Sequence, residues 1–383
     1  MNILLMSVKA GFGHHSTAAA IINYFEKHGH KCYMLDIFEY ISESLGNMIQ
    51  DGYLISTKYL SKTYGKVYDK LSRKDEPYDR LSVTSLVSNK ITKKLIGCVT
   101  GFAPDIIIGT HSYAGVVMSI LRDKGYADCP LIGIVTDFTV HPFWESTELD
   151  YYVIPDSLLT YQMNKKGIPK EKLLPFGIPI RQAFASKLDK TEARRRLGIG
   201  DKRTLLVMMG SMGYGNIYDS LLEMDAFDAE FQMIVVCGSN EKLFSFINEQ
   251  AWQKDVYGYG FVNNVDLMMD ASDVIVTKPG GLTTSEAFAK GLPMIAMNPI
   301  PGQEDKNLAF LVNNGAAIAV NSEYTISEAL YQLLNEEWRV ELMRESVRHI
   351  GKPDATARLY DFIMSLPGSE KAAEKEYTPA AGV

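Results

Sequence analysis

Short apolar runs alternate with longer segments of helical periodicity along nearly the whole chain, and this alternation restricts the fold more than any other feature. Strands joined by crossover helices must lie parallel, and a parallel sheet has to be covered on both faces. Runs at 3–8, 32–37, 106–108, 131–135 and 151–154 predict one sheet, and runs at 204–209, 233–237, 256–257, 274–276, 294–297 and 317–320 predict a second. With 383 residues, 46% of them hydrophobic, the chain can bury two cores. The expected class is therefore α/β, with two doubly wound domains at 1–178 and 179–351. The join falls in Phe176-Gly177-Ile178-Pro179-Ile180-Arg181, where a glycine and a proline interrupt the pattern. Residues 326–348 read as late helices of the second domain, and 352–366 as a helix crossing back to the first. The tail 367–383 is polar and rich in small residues, which predicts disorder.

The net charge of −7 argues against a general nucleic-acid binder. No stretch approaches the roughly twenty apolar residues of a spanning helix, and the chain opens on the strand-like Asn2-Ile3-Leu4-Leu5-Met6, so the expected location is cytoplasmic. Cys32, Cys98, Cys129 and Cys237 are scattered without metal-ligand spacing and read as reduced core residues. Charge is concentrated in one place: Lys58, Lys62, Lys66, Lys70 and Lys74 fall every fourth residue, beside an apolar stripe of Leu60, Tyr64, Val67 and Leu71. Such a segment suits an anionic membrane surface, or equally packs on its own domain with a solvated lysine face.

Three segments carry chemistry. Strand 3–8 runs into Gly11-Phe12-Gly13-His14 and then a helix at 17–27. This loop and its counterpart Gly210-Ser211-Met212-Gly213 are permissive in backbone angle, but neither matches the dinucleotide fingerprint. His14 projects from a helix N-terminus at the carboxyl end of a strand, where the positive helix end keeps an imidazole neutral; it is a candidate base or a capping residue. The third segment is Lys278-Pro279-Gly280-Gly281-Leu282-Thr283-Thr284-Ser285-Glu286, a strand end, a turn and a helix at 283–290. The turn aims free N–H groups and a helix dipole at one spot, a cradle for a diphosphate, and Glu286 lies where a carboxylate can accept from two ribose hydroxyls.

Together with Pro301-Gly302-Gln303-Glu304-Asp305-Lys306-Asn307, the His14 loop and this turn resemble the glycolipid glycosyltransferases that include processive diacylglycerol glucosyltransferases and monogalactosyldiacylglycerol synthases. A more distant likeness is to the N-acetylglucosaminyltransferase that forms lipid II. The resemblance spans about the first 365 residues and implies the GT-B fold, two Rossmann-like domains facing across a cleft, with acceptor on the first and nucleotide sugar on the second. It implies His14 as base, with Asp137 in a catalytic or orienting role within Thr136-Asp137-Phe138-Thr139-Val140-His141-Pro142-Phe143-Trp144. On the donor side it implies Gly13, Ser211, Met212, Phe261 and Val262 at the nucleotide, Gly281, Leu282, Thr283 and Thr284 at the diphosphate, Glu286 at the ribose, and Gln303 and Asn307 at the sugar or phosphate. Trp144 and Lys58, Lys62, Lys66 and Lys70 would face the lipid. The implied reaction moves a hexose, glucose or galactose, from a UDP-sugar to diacylglycerol with inversion, on the inner face of a bacterial membrane. No aspartates stand at D-x-D spacing, so no metal and no cofactor are expected. A UDP-sugar 2-epimerase or a UDP-sugar sensor on the same fold are the alternatives.

Overall fold

The computed structural model describes residues 1–9, 12–41, 89–209 and 217–367. Two parallel six-stranded sheets organise it. The first is built from β1 (Asn2–Ser7), β2 (Lys31–Asp36), β3 (Ile106–Gly109), β4 (Leu131–Ile134), β5 (Tyr151–Val153) and β6 (Leu173–Leu174), in the order β2-β1-β3-β4-β5-β6. The second is built from β7 (Thr204–Met208), β8 (Gln232–Val236), β9 (Val256–Tyr259), β10 (Val274–Thr277), β11 (Met294–Ala296) and β12 (Ala317–Ala319), in the order β12-β11-β10-β7-β8-β9. β6 is the strand the periodicity missed, because two residues are too short to show an alternation.

Side chains alternate across each sheet, so every sheet carries a core on both faces. In the first, Leu4, Met6 and Ile107 enter one core while Ile3, Leu5, Ile106 and Ile108 enter the other. In the second, Leu206, Ile234 and Ile275 face one way and Leu205, Val207, Val274 and Val276 the other. The final helix (Ala355–Ser365) buries Leu359 and Ile363 among Ile3, Leu5 and Phe25, so the end of the chain covers the first sheet. The late apolar segment forms two helices, Ile326–Asn335 and Glu337–Ile350, broken at the non-helical Glu336.

Trp144, expected on the lipid side, is a core residue instead. It is 3% exposed, packs edge-on to Tyr152 with ring centroids 5.9 Å apart, and belongs to the core of the first sheet. Gly115 and Gly133 make its room, since a Cβ on either would lie 2.8 Å from the indole. Lys58, Lys62, Lys66, Lys70 and Lys74, Ser211 and Met212, and the tail from 368 onward lie outside the described residues. Among the described residues no helix is long and apolar enough to cross a membrane, and all four cysteines are free.

In both sheets the chain starts in the middle and winds both ways. The strand order therefore reverses between β1 and β3 in the first sheet and between β7 and β10 in the second. Crevices beyond the carboxyl ends of the strands open at such reversals. The loops leaving β1, β3, β7 and β10 consequently frame whatever lies between the sheets.

Candidate functional site

A cleft of about 450 Å³ opens there, walled by Gly13 and His14 from one half and by Gly281, Leu282, Thr283 and Glu286 from the other. The walls are close, and a Cβ on Gly13 would lie 3.8 Å from Cβ of Leu282.

His14 sits in the first turn of α1 (Phe12–Lys27), which begins earlier than the sequence pattern indicated. Its Nδ1 donates to the Thr110 carbonyl at the end of β3, at 2.8 Å, and the Thr136 hydroxyl lies 2.9 Å from the same nitrogen. A carbonyl can only accept, so Nδ1 carries the proton and Nε2 is left with a lone pair in the neutral ring. Burial pushes the pKa down from 6.5 to about 4; the Thr110 bond opposes this and neighbouring His15 adds to it.

Two further histidines surround it. His111 lies edge-on to His14 at 4.5 Å and caps α4 (Ser112–Asp123; α2 being Ile37–Ile41 and α3 Asn89–Phe102), its Nδ1 accepting from the Tyr113 N–H. His141 caps the 3-10 turn Pro142–Ser146, its Nδ1 accepting from the Phe143 N–H at 3.2 Å. Burial holds both well below the ordinary imidazole value, His141 at about 3. His111 escaped sequence reasoning because a capping histidine leaves no periodic signature. Among the described residues no group of three or more His, Cys, Asp or Glu side chains is arranged to hold a metal ion.

Opposite His14, a helix spans Gly281–Ala289 shortly after β10, so the turn at Pro279 and Gly280 is tighter than expected and Glu286 lies about half a turn deeper. The N–H groups of its first residues have no acceptor within the helix and face the cleft with the positive dipole end. Glu286 is largely buried, and burial raises its pKa from 4.5 to about 7; Arg181 opposes the rise and Asp266 adds to it. Arg181 also lines the cleft and was read from sequence only as part of the join. Val262 and the 71% exposed Phe261 form an apolar lip.

Not every expected contact faces this space. Thr284 is fully buried, so its side chain cannot touch a ligand there. Asn307 is fully buried as well. It lies on the helix Gln303–Asn313, whose start is set by Gly302 at φ +102°, a left-handed conformation glycine takes freely. Asn307 Nδ2 donates to Asp137 Oδ1 at 2.9 Å and to the Pro279 carbonyl at 3.0 Å, and Gln303 Nε2 donates to Asp137 Oδ2. The two carboxamides expected on the sugar therefore hold Asp137, a residue from beyond β4 in the other half; of the two, only Gln303 also lines the cleft. Burial pushes Asp137 from 3.8 up to about 7, against the two amide bonds and with the charge of Glu304.

Comparison with known proteins agrees with this layout. Residues 14–180 match the monogalactosyldiacylglycerol (MGDG) synthase family and residues 189–352 match glycosyl transferases group 1. A processive diacylglycerol beta-glucosyltransferase of Bacillus pumilus (strain SAFR-032) is 28% identical over 355 residues, covering 91% of this chain and 90% of the relative. Among solved structures, Acinetobacter baumannii MurG superposes with a TM-score of 0.61 at 15% identity, covering 95% of this chain and 99% of that one. The UDP-GlcNAc 2-epimerase of Neisseria meningitidis superposes with a TM-score of 0.59 at 14% identity, covering 96% and 100%. These two likenesses concern the fold.

Proposed function

The chain belongs to the GT-B glycosyltransferases, a monogalactosyldiacylglycerol synthase domain followed by a group 1 glycosyl transferase domain, and from that premise we propose that it moves a hexose from a UDP-sugar to diacylglycerol. The observation that carries this reading is that one cleft brings His14, neutral with Nε2 unprotonated, opposite the N-terminus of the helix Gly281–Ala289. A base facing an anion cradle is what direct displacement on a nucleotide sugar requires.

In that reaction the acceptor hydroxyl oxygen attacks the anomeric carbon while the bond from that carbon to the diphosphate oxygen breaks. The hydroxyl proton passes to His14 Nε2, and the N–H groups of Gly281, Leu282 and Thr283 hold the charge left on the diphosphate. Negative charge beside His14 raises its pKa from the value in the empty cleft, so the imidazole is a stronger base when donor is bound. Attack from the far side inverts the centre and gives a β-glycoside from an α-linked donor. Glu286 takes the ribose hydroxyls, and Phe261 with Val262 covers the base. No step needs a metal, and activity is expected to survive EDTA.

Glucose is favoured as donor sugar by the name of the Bacillus relative. Diacylglycerol stays in its bilayer, since each buried methylene is worth about 0.8 kcal/mol, so the enzyme works as a peripheral protein on the inner face of the membrane. The lysine-rich segment 58–74 is the proposed contact with anionic lipid. The test is UDP release from UDP-glucose with and without diacylglycerol in anionic vesicles. Strong stimulation by diacylglycerol is expected; UDP release that ignores the lipid would refute the acceptor, and a changed sugar nucleotide without lipid product would restore the epimerase.

A further inference from the structure

We propose that Asp137 is a positioning residue that sets the polarity of the donor-sugar subsite, by fixing which end of the Gln303 carboxamide faces the cleft. This rests on the reading above, in which the start of the helix Gln303–Asn313 meets the donor sugar. A carboxamide has nearly the same shape when its oxygen and nitrogen exchange places but the opposite hydrogen-bonding sense, so something must choose its orientation. Asp137 makes that choice. Its carboxylate accepts from Gln303 Nε2 and, at 2.9 Å, from Asn307 Nδ2. Above the value of about 7 to which burial raises it, the ionised carboxylate offers no proton, so both amides must present NH2 to it, and Gln303 is left with Oε1 for the cleft that it lines.

Asn307 shows how firmly the arrangement is held. Its NH2 group serves Asp137 and the Pro279 carbonyl, while its Oδ1 is buried with no hydrogen-bond partner. Turning that amide would set its oxygen against two acceptors. The fixed Gln303 oxygen can then only accept from a sugar hydroxyl, and it stands at one place. Glucose and galactose differ in the direction of one hydroxyl, which a single fixed acceptor can tell apart. Asp137 belongs to the half that carries His14, and its neighbour Thr136 contacts the His14 ring. Sugar recognition is therefore complete only when the halves meet.

The test uses the full-length protein and calorimetric binding of UDP-glucose and UDP-galactose, which requires no lipid product. In Asp137→Asn, the new side chain offers NH2 as well as oxygen, and Gln303 is free to turn. The ratio of the two Kd values is expected to shrink about tenfold, the size of one hydrogen bond. Gln303→Met, which lacks the amide, should shrink it equally, and the double variant should add nothing further. The pH dependence of kcat, set by His14, should keep its acid limb in Asp137→Asn. Retention of the wild-type ratio in Asp137→Asn, or in Gln303→Met if the first variant does not fold, would overturn the proposal. So would a collapse of kcat at unchanged Kd, which would make Asp137 a catalytic group. Absence of lipid product in the wild type with discrimination lost in the variants would instead sink only the transferase reading.

Discussion

At Gly281 the backbone of one half packs directly against the backbone of the other, and adding one methyl group there tests the geometry of the whole site. A Cβ on Gly281 would lie 2.9 Å from the carbonyl carbon of Thr136 and 3.1 Å from Cα of Asp137, with the Thr136 carbonyl oxygen nearer still. Carbon atoms in contact prefer about 3.5–4.0 Å, so the Thr136-Asp137 backbone must retreat by roughly 1 Å. Both neighbours are backbone, which has no rotamer to escape into. The least costly response is for the halves to part. Parting loosens Asp137 from Gln303 and Asn307, and moves the base away from the cradle. A misplacement of about 1 Å at a reacting centre costs roughly a hundredfold in rate, whereas strain relieved by a hinge costs only about 1–3 kcal/mol of stability. Gly281→Ala is therefore expected to lower kcat/KM for UDP release about a hundredfold and to shift the thermal midpoint by a few degrees. Steady-state kinetics beside a melting curve reads both. A variant with near wild-type kcat/KM would show that the halves do not need this contact in the reacting state.

His14→Ala should lower kcat by about two to four orders of magnitude while leaving the Kd for UDP within twofold, and loss of UDP binding instead would make the residue structural. Phe261→Ala, at a site 71% exposed, should weaken UDP binding by about 1 kcal/mol with no change in melting temperature; unaltered affinity would remove it from the base subsite. Glu286→Gln tests the buried carboxyl by its pH dependence. The folded pKa is about 7 against 4.5 unfolded, so the stability contributed by the protonated acid is fully present below 4.5 and lost as pH rises through 7. The variant cannot ionise and should gain on the order of 2 kcal/mol over wild type at pH 8, and almost nothing at pH 4.5, in urea unfolding. An equal gain at both pH values would show that ionisation is not the cause.

The alternation of short apolar runs and helices was enough to reach two doubly wound α/β domains, because strands with two buried faces cannot hide their hydrophobicity. Segments at Gly11-Phe12-Gly13-His14 and Pro279-Gly280-Gly281 could be singled out as glycine turns between a strand and a helix, and their roles came from the resemblance of the three motifs taken together. Pairings across the cleft left no such trace. Asp137 lies 166 residues from Gln303 and 170 from Asn307, and neither hydrogen bond has a local pattern. Trp144 came to the lipid side only through the resemblance, and its burial depends on Gly115 and Gly133, which make space for it from distant points of the chain. Arg181 was taken as punctuation since its role depends on where the join between halves comes to lie.

The central claim is best tested by the lipid product itself. The protein is incubated with UDP-glucose and diacylglycerol in anionic vesicles, and the extracted lipid is analysed by mass and by the proton coupling at its anomeric carbon. The account predicts hexosyl-diacylglycerol in the β configuration, one UDP released per sugar transferred, and no product from His14→Ala. An α-linked product would contradict direct displacement by a single base, and UDP-glucose returned intact beside unmodified lipid would contradict the assignment of the cleft.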